Sequence, residues 1–552
     1  MRGSQRETAV SIGPAQAGSG GAGGVRPGTR WPLDWLVAVI PALAELAVGG
    51  YRIGVPSLWR DEAATISGSQ RPLAAIVAMA QNQDAVHGPY YVLMHAVIAA
   101  GGISPTTLRL PSLLAMCVAV GLTAALGRRL AQASGLPGAP GAPGAPGAPG
   151  APGARAIGVL AGLALTAVPL TTRYAQEARP YALTTVFAVL ATYALVRAVA
   201  RPRRRWWVLY AAALALAGLF SLFTVLIVAA HAASLWWARS QAGCGEVGGQ
   251  IMRRWLTACL VTAVLLAPIA YLSAGQSAQL NWVRRPDLSS AATLLREFAG
   301  ATPLIPVISV LALLGCVAAN GIRHRGSITL VGIALPWLVL PPVVLIAVSL
   351  IHPVYVERYV LFCLPPLALL TSAGLVWLAT VTRRALSGRH LGPRLAAVLA
   401  VVPSAVLALV VAGVVIGPQR EIRQVTARAD DLRAVASLIA RRERPGDAIL
   451  YLPRDAELVG VAYPAPFRRL RDIGQAESPV ASATLRGLPA SPRMVAARLA
   501  TVRRVWIVQW AHPLSPSSAA PAPLTRLLHG LHLIGQRQVQ SVVLRLFAVR
   551  SR

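Results

Sequence analysis

The chain has 552 residues, 55% of them apolar, and a mean hydropathy of +0.57, which excludes a soluble multidomain protein of this length. Its 52 basic residues, all arginine, face only 20 acids, for a net charge of +32. The arginines punctuate apolar runs instead of forming a basic stripe, so the charge belongs to membrane flanks and not to nucleic-acid binding.

Residues 1–30 are rich in Gly, Ala and Ser and lack the apolar centre of a cleavable signal, so they read as a disordered cytoplasmic tail. Apolar runs then recur near 33–50, 108–127, 156–171, 181–198, 206–219, 222–238, 255–273, 302–320, 328–350, 359–379 and 395–416. Runs of this length predict about eleven transmembrane helices, because in lipid only helices or closed barrels satisfy every backbone polar group. The run Tyr90–Gly101 is too short to cross and fits a re-entrant or interfacial helix in the first outer loop. Residues 138–153 repeat Gly-Ala-Pro, which predicts a flexible-to-extended cytoplasmic linker over 137–154. The five cysteines are Cys117, Cys244, Cys259, Cys316 and Cys363. None shows CxxC spacing and four lie in apolar runs, so neither a disulfide framework nor a zinc site is expected.

Arginine placement orients the chain. With a cytoplasmic N-terminus, Arg128/Arg129, Arg197 to Arg205, Arg239, Arg253/Arg254, Arg323/Arg325 and Arg383/Arg384 share one side. The other face holds mixed charge: Asp61, Glu62, Asp84, Arg173, Glu177, Arg179, Glu297, Glu357 and Arg358. Residues 31–417 thus read as an all-α membrane bundle and 418–552 as a small extracytoplasmic α/β domain. In that domain Asp430 to Ala440 has helical spacing with acids in its first turn, and Arg444-Pro445-Gly446-Asp447 is a turn. Ala448 to Leu452, Val505 to Trp510 and Val542 to Val549 read as strands.

Three outer loops concentrate the residues that do chemistry. The first, Tyr51 to Tyr91, holds Arg60-Asp61-Glu62 and then Asp84, His87, Tyr90 and Tyr91. The second holds Arg173-Tyr174-Ala175-Gln176-Glu177-Ala178-Arg179-Pro180-Tyr181. The third holds His352, Tyr355, Glu357, Arg358 and Tyr359. The second and third are short, and loops so short are normally polar filler. Ionisable groups kept at a bilayer edge are expensive and more often functional than incidental. A carboxylate can take the proton of an attacking hydroxyl. Arginine can hold the charge that develops on a phosphate leaving group. Glu45, inside the first run, could pair within the bundle or line a cavity.

Together these loops resemble the GT-C superfamily of membrane glycosyltransferases, in its protein O-mannosyltransferase and aminoarabinose-transferase branch, which includes predicted bacterial mannosyltransferases. The resemblance rests on Asp61-Glu62-Ala63, Gln176-Glu177-Ala178-Arg179-Pro180-Tyr181 and Arg358-Tyr359, and spans roughly residues 33–380. The segment around Asp84 and His87 departs from the family pattern, because Gly88-Pro89 follows His87. The resemblance implies an inverting transfer of mannose or a similar hexose from a polyprenyl-phosphate donor to a lipid, glycan or protein acceptor, at the outer face of the plasma membrane. It gives Asp61 as the base, with Glu62 orienting it or the acceptor. Glu177 and Arg179 would shape the donor pocket, and Arg358 would grip the lipid phosphate. Substrate binding extends to Asp84, His87, Tyr90, Tyr91, Arg173, Tyr174, Gln176, Tyr181, Tyr355, Glu357 and Tyr359. No cofactor and no metal is expected, although some relatives use a divalent ion. Two other readings stay open. A transporter or lipid flippase would carry charges near mid-membrane in related halves. A non-catalytic membrane protein with a partner-binding C-terminal domain would tolerate Asp61→Asn.

Overall fold

All eleven apolar runs fold as helix in the computed structural model, which is described over residues 33–134, 152–242, 246–320, 328–387, 393–511 and 522–549. In chain order the helices are α1 (Leu36–Gly50), α2 (Arg60–Ser69), α3 (Leu73–Asn82), α4 (Gly88–Gly101), α5 (Pro105–Ala133), α6 (Pro152–Ala167), α7 (Pro169–Ala175), α8 (Tyr181–Ala200), α9 (Arg204–Phe220) and α10 (Ile227–Ala242). They continue with α11 (Glu246–Gly275), α12 (Leu288–Ala299), α13 (Ile305–Asn320), α14 (Leu330–Ile351), α15 (Leu364–Ser387), α16 (Pro393–Glu421), α17 (Leu432–Ala440), α18 (Leu458–Ala462), α19 (Pro492–Leu499) and α20 (Ala522–His529).

Among the described residues, eight helices are long and apolar enough to cross a bilayer, and the bent pair α6–α7 makes a ninth. Two of the expected spans are shorter, α1 with 15 residues and α9 with 17. The N-terminal tail, most of the Gly-Ala-Pro linker and Cys244 lie outside the described residues. Residues 152–154, expected to end that linker, already belong to α6.

Local sequence explains the breaks. At Val168-Pro169 the proline removes an amide and pushes the preceding residue out of the α region, so the helix bends by 71°. The bend turns residues 176–181 into the protein, where Gln176 and Glu177 are buried. Gly315 on α13 and Gly374 on α15 lie against each other's helix backbones. A Cβ on either would collide with a facing carbonyl, Leu370 or Leu311.

The C-terminal region builds a five-stranded sheet from β1 (Ala448–Leu452), β2 (Arg471–Asp472), β5 (Arg504–Trp510), β6 (His532–Val539) and β7 (Val542–Ala548). A separate two-stranded ribbon pairs β3 (Gln475–Glu477) with β4 (Leu488–Pro489). The order is β2-β1-β5-β7-β6. β1 runs parallel to β2 and β5, and β7 runs antiparallel to β5 and β6. β1 is apolar throughout because both faces are covered. Ala448, Leu450 and Leu452 pack with Val495, Leu499 and Leu524. Ile449 and Tyr451 join a core with Leu432, Val435 and Ile439 of α17 and with Leu58, Ile66, Tyr90 and Met94 of the first loop. The sheet is thereby fixed onto the end of the bundle that carries the conspicuous loops.

Candidate functional site

The site begins at the first turn of α2. Trp59, its N-cap, supplies no side-chain cap. Instead Asp430, just before α17, accepts the backbone N–H of Arg60 at 3.0 Å. It also binds the Arg60 guanidinium through Nε at 2.8 Å and Nη2 at 2.6 Å. A carboxylate there complements the positive end of the helix as well as the arginine. Ser541 also donates to Asp430, and Arg60 lies 4.1 Å over the Trp510 ring. The C-terminal domain therefore clamps the helix that presents the acidic pair. Asp430→Ala is expected to free that turn and to cost about 1.5–3 kcal/mol of stability, the scale of hydrogen bonds to a charged group. The thermal midpoint of the purified variant checks it.

Adjacent residues on a helix point about 100° apart, and here that sends the two acids to different environments. Glu62 is fully buried. Its two oxygens pair with Nε and Nη2 of Arg109 on α5, both at 2.7 Å, and Oε1 also accepts the Ala178 N–H at 3.0 Å. Arg109, also fully buried, donates further to the carbonyls of Ile53, Pro56 and Ser57. Glu62 thus ties α2, α5 and the second loop together.

Asp61 faces the other way, into a cavity of about 1130 Å³ between the bundle end and the C-terminal sheet domain. Among the described residues its Oδ2 accepts no hydrogen bond, and it lies 3.8 Å from Nη2 of Arg358. Arg358 is held among the rings of Trp282, Tyr359 and Tyr181, at 5.6, 5.8 and 5.9 Å. Such packing pre-orients a guanidinium whose donors are otherwise little used.

Asp84, Arg179 and His87 form a second polar group on the same cavity. Asp84 adopts a left-handed backbone (φ 61°), which asparagine and aspartate tolerate better than most residues. Its carboxylate meets His87 Nδ1 at 2.6 Å and the Tyr91 hydroxyl. Arg179 Nη2 lies 2.8 Å from His87 Nε2. Arginine can only donate, so Nε2 accepts and the ring proton sits on Nδ1, toward Asp84. Burial alone would raise the Asp84 carboxyl, but His87, Tyr91 and Arg179 outweigh it and hold it below the usual carboxylate range. Gly68 lets Tyr91 reach this position, since a Cβ there would lie 2.8 Å from the ring.

Of the expected site residues, Asp61, Asp84, His87, Arg179, Tyr181, Arg358 and Tyr359 line the cavity; Glu62, Tyr90, Tyr91, Arg173, Tyr174, Gln176, Glu177, Tyr355 and Glu357 do not. Gln176 is a strut, donating to the carbonyls of Gly49 and Tyr51 at 2.7 and 2.9 Å. Glu177 lies 3.9 Å from Arg173 and 4.0 Å from Arg428. Burial pushes its carboxyl up, against the pull of both arginines. Burial likewise pulls Arg428 down to about 10, while its Nη2 donates to the Gln176 carbonyl at 2.7 Å. Tyr90 sits in the core, edge-on to Phe220, and Tyr174 packs edge-on to Tyr181 at 5.3 Å. Tyr355 is buried in the bundle. Glu45 is buried among helices, away from the cavity.

Sequence reasoning missed much of the remaining lining, including Phe220 to Phe223, Gln276 to Trp282, and the C-terminal residues Arg454, Asp455, Arg486 and Trp510. No charge cluster marks the first two segments, and the last four acquire their placement only when the sheet docks. Among the described residues no three His, Cys, Asp or Glu side chains gather as a metal site.

The structure is similar to that of ArnT, an aminoarabinose transferase, from Cupriavidus metallidurans in the apo state. The TM-score is 0.56 at 16% identity, covering 93% of this chain and 97% of that one. ArnT bound to undecaprenyl phosphate matches with TM-score 0.56 and 15% identity, over 93% and 98% of the two chains. This chain has the GT-C fold. No protein-family model and no curated protein sequence matches it. The cavity lies between the helical bundle and the C-terminal sheet domain, and both line it.

Proposed function

We propose that this chain is a glycosyltransferase that moves a hexose, mannose or similar, from a polyprenyl-phosphate carrier to an acceptor hydroxyl at the outer face of the plasma membrane. The observation that carries the reading is the meeting, within one cavity, of a carboxylate oxygen that accepts no hydrogen bond among the described residues (Asp61) and a ring-packed guanidinium 3.8 Å away (Arg358). The reading also draws on the likeness to ArnT, whose structure has been determined with undecaprenyl phosphate.

In the proposed reaction the acceptor oxygen attacks the anomeric carbon from the face opposite the phosphate, forming the new glycosidic bond. The bond from that carbon to the phosphate oxygen breaks, and polyprenyl phosphate departs with the bonding pair. Asp61 takes the hydroxyl proton. Arg358 stabilises the charge growing on the departing phosphate, so no strong general acid is required. Arg179, His87 and Asp84 line the sugar's side of the pocket. Glu62 acts as a positioning residue through Arg109 and the Ala178 amide.

The test is transfer from a panel of labelled polyprenyl-phosphate sugars, set beside nucleotide sugars, in membranes containing the protein. Transfer from a lipid-linked donor alone supports the reading; use of nucleotide sugars, or of none, sinks it. Arg358→Lys keeps the charge but loses the two-donor fork. It is expected to raise the donor KM by about 10- to 100-fold, corresponding to about 1.5–3 kcal/mol for a charged hydrogen bond.

The proposed orientation puts Ala429 outside and Arg204 in the cytoplasm. Ala429→Cys should react with an impermeant maleimide on intact cells, and Arg204→Cys only after permeabilisation. The reverse pattern would invert the topology.

A further inference from the structure

The cavity has a second wall that the proposed donor chemistry leaves unused. Its volume, about 1130 Å³, exceeds the roughly 300–1,000 Å³ that encloses a single drug-sized ligand. Asp61 and Arg358 occupy the bundle side, and the C-terminal domain supplies the facing side through Arg454, Asp455, Arg486 and Trp510. Arg60 joins the two sides, since it precedes Asp61 and lies over Trp510 at 4.1 Å.

Charge on this wall is compensated locally. Arg454 pairs with Asp472 at 2.5 Å and with Glu457 at 2.7 Å. Arg486 lies 3.8 Å from Asp455, which also accepts the Trp510 indole N–H at 3.1 Å. Burial moves Glu457 up to about 7, which brings the wall closer to neutrality. Such a surface offers donors and acceptors in alternation with an aromatic edge, and no surplus positive charge. It matches hydroxyl groups, which both donate and accept. A phosphorylated headgroup would call instead for arginines without carboxylate partners.

We infer that the C-terminal wall of the cavity holds the acceptor, and that the acceptor is an uncharged carbohydrate. The inference rests on the glycosyltransferase reading and adds the identity of the second substrate. The acceptor sugar lies against Trp510 and Asp455, with its hydroxyl directed past Arg60 to Asp61.

The test uses the full-length protein in membranes with its lipid-linked donor and three acceptors: an alkyl-linked uncharged oligosaccharide, a phosphorylated glycolipid and a Ser/Thr peptide. The uncharged oligosaccharide is expected to be glycosylated in preference to the other two. Asp455→Asn should raise its KM about 10-fold or more while the donor KM stays within about twofold, the cost of a lost charged hydrogen bond. Arg486→Gln, at a more exposed position, should give a smaller change of the same kind and guards against a folding defect in the first variant. Preference for the phosphorylated glycolipid or the peptide overturns the acceptor assignment and leaves sugar transfer standing. An unchanged acceptor KM in both variants overturns the placement. Failure to consume the donor with every acceptor removes the transferase reading and this inference with it.

Discussion

Asp61→Asn is expected to lower kcat by about 10²–10⁴-fold, the range that a positioned general base contributes, and to leave the donor KM nearly unchanged. The amide has the size and shape of the carboxylate but cannot hold the acceptor's proton. Little else should move. Among the described residues Oδ2 of Asp61 accepts no hydrogen bond, and its ion pair, to Arg358, is long at 3.8 Å. A change at a side chain with so few partners normally falls within about 0.5 kcal/mol of stability. Removing the negative charge also leaves Arg358 freer to meet a phosphate, so donor binding should not weaken. The measurement is initial transfer rate against donor concentration for wild type and variant in the same membranes, with thermal midpoints recorded alongside. Equal turnover would remove Asp61 from the mechanism. A large drop in midpoint would mean that its role is structural.

How far the sequence led is clearest at single residues. The apolar runs could be placed because a run of about twenty apolar residues satisfies its own backbone in lipid only as a helix, a barrel strand being about half as long. The loops stood out because carboxylates and arginines are costly at a bilayer edge. What the sequence could not say is which way each side chain turns. Asp61 and Glu62 are neighbours, yet one faces the cavity and the other is sealed against an arginine 47 positions later. In the second loop, Glu177 draws the eye as strongly as Arg179. Only the bend at Pro169 and the arrival of Arg428 decide that the acid is buried and the arginine reaches the cavity. The sequence puts Asp430 in a helix's first turn; in the structure that helix starts at Leu432 with Asp431 as its N-cap, and Asp430, just outside it, binds Arg60, 370 positions earlier. Helix α12 and strand β6 escaped notice for local reasons. α12 joins two spans without a long apolar run. β6 is a largely exposed edge strand, so it lacks the alternation that marks a half-buried one.

The second large effect concerns stability. Glu62→Gln is expected to cost about 3–5 kcal/mol, because it strands a buried arginine. Glutamine can still accept the Ala178 N–H, and the carbonyls of Ile53, Pro56 and Ser57 still receive Arg109. None of these groups carries the charge that Glu62 supplies at 2.7 Å to two guanidinium nitrogens. Arg109→Met should be comparably harmful, since it leaves the carboxylate buried alone. The double variant Glu62→Gln/Arg109→Met should be less unstable than the two losses summed, because neither unpaired charge remains. Thermal midpoints of the four proteins in one detergent measure this coupling. The same set separates positioning from chemistry. If Glu62 works only by holding α2 and the second loop in place, the folded fraction of Glu62→Gln, assayed cold, should keep turnover within about tenfold of wild type, against the 10²–10⁴-fold loss from removing a general base. If Glu62 itself carries a proton in the reaction, the cold-assayed variant falls as far as Asp61→Asn, and the base must be assigned to the pair.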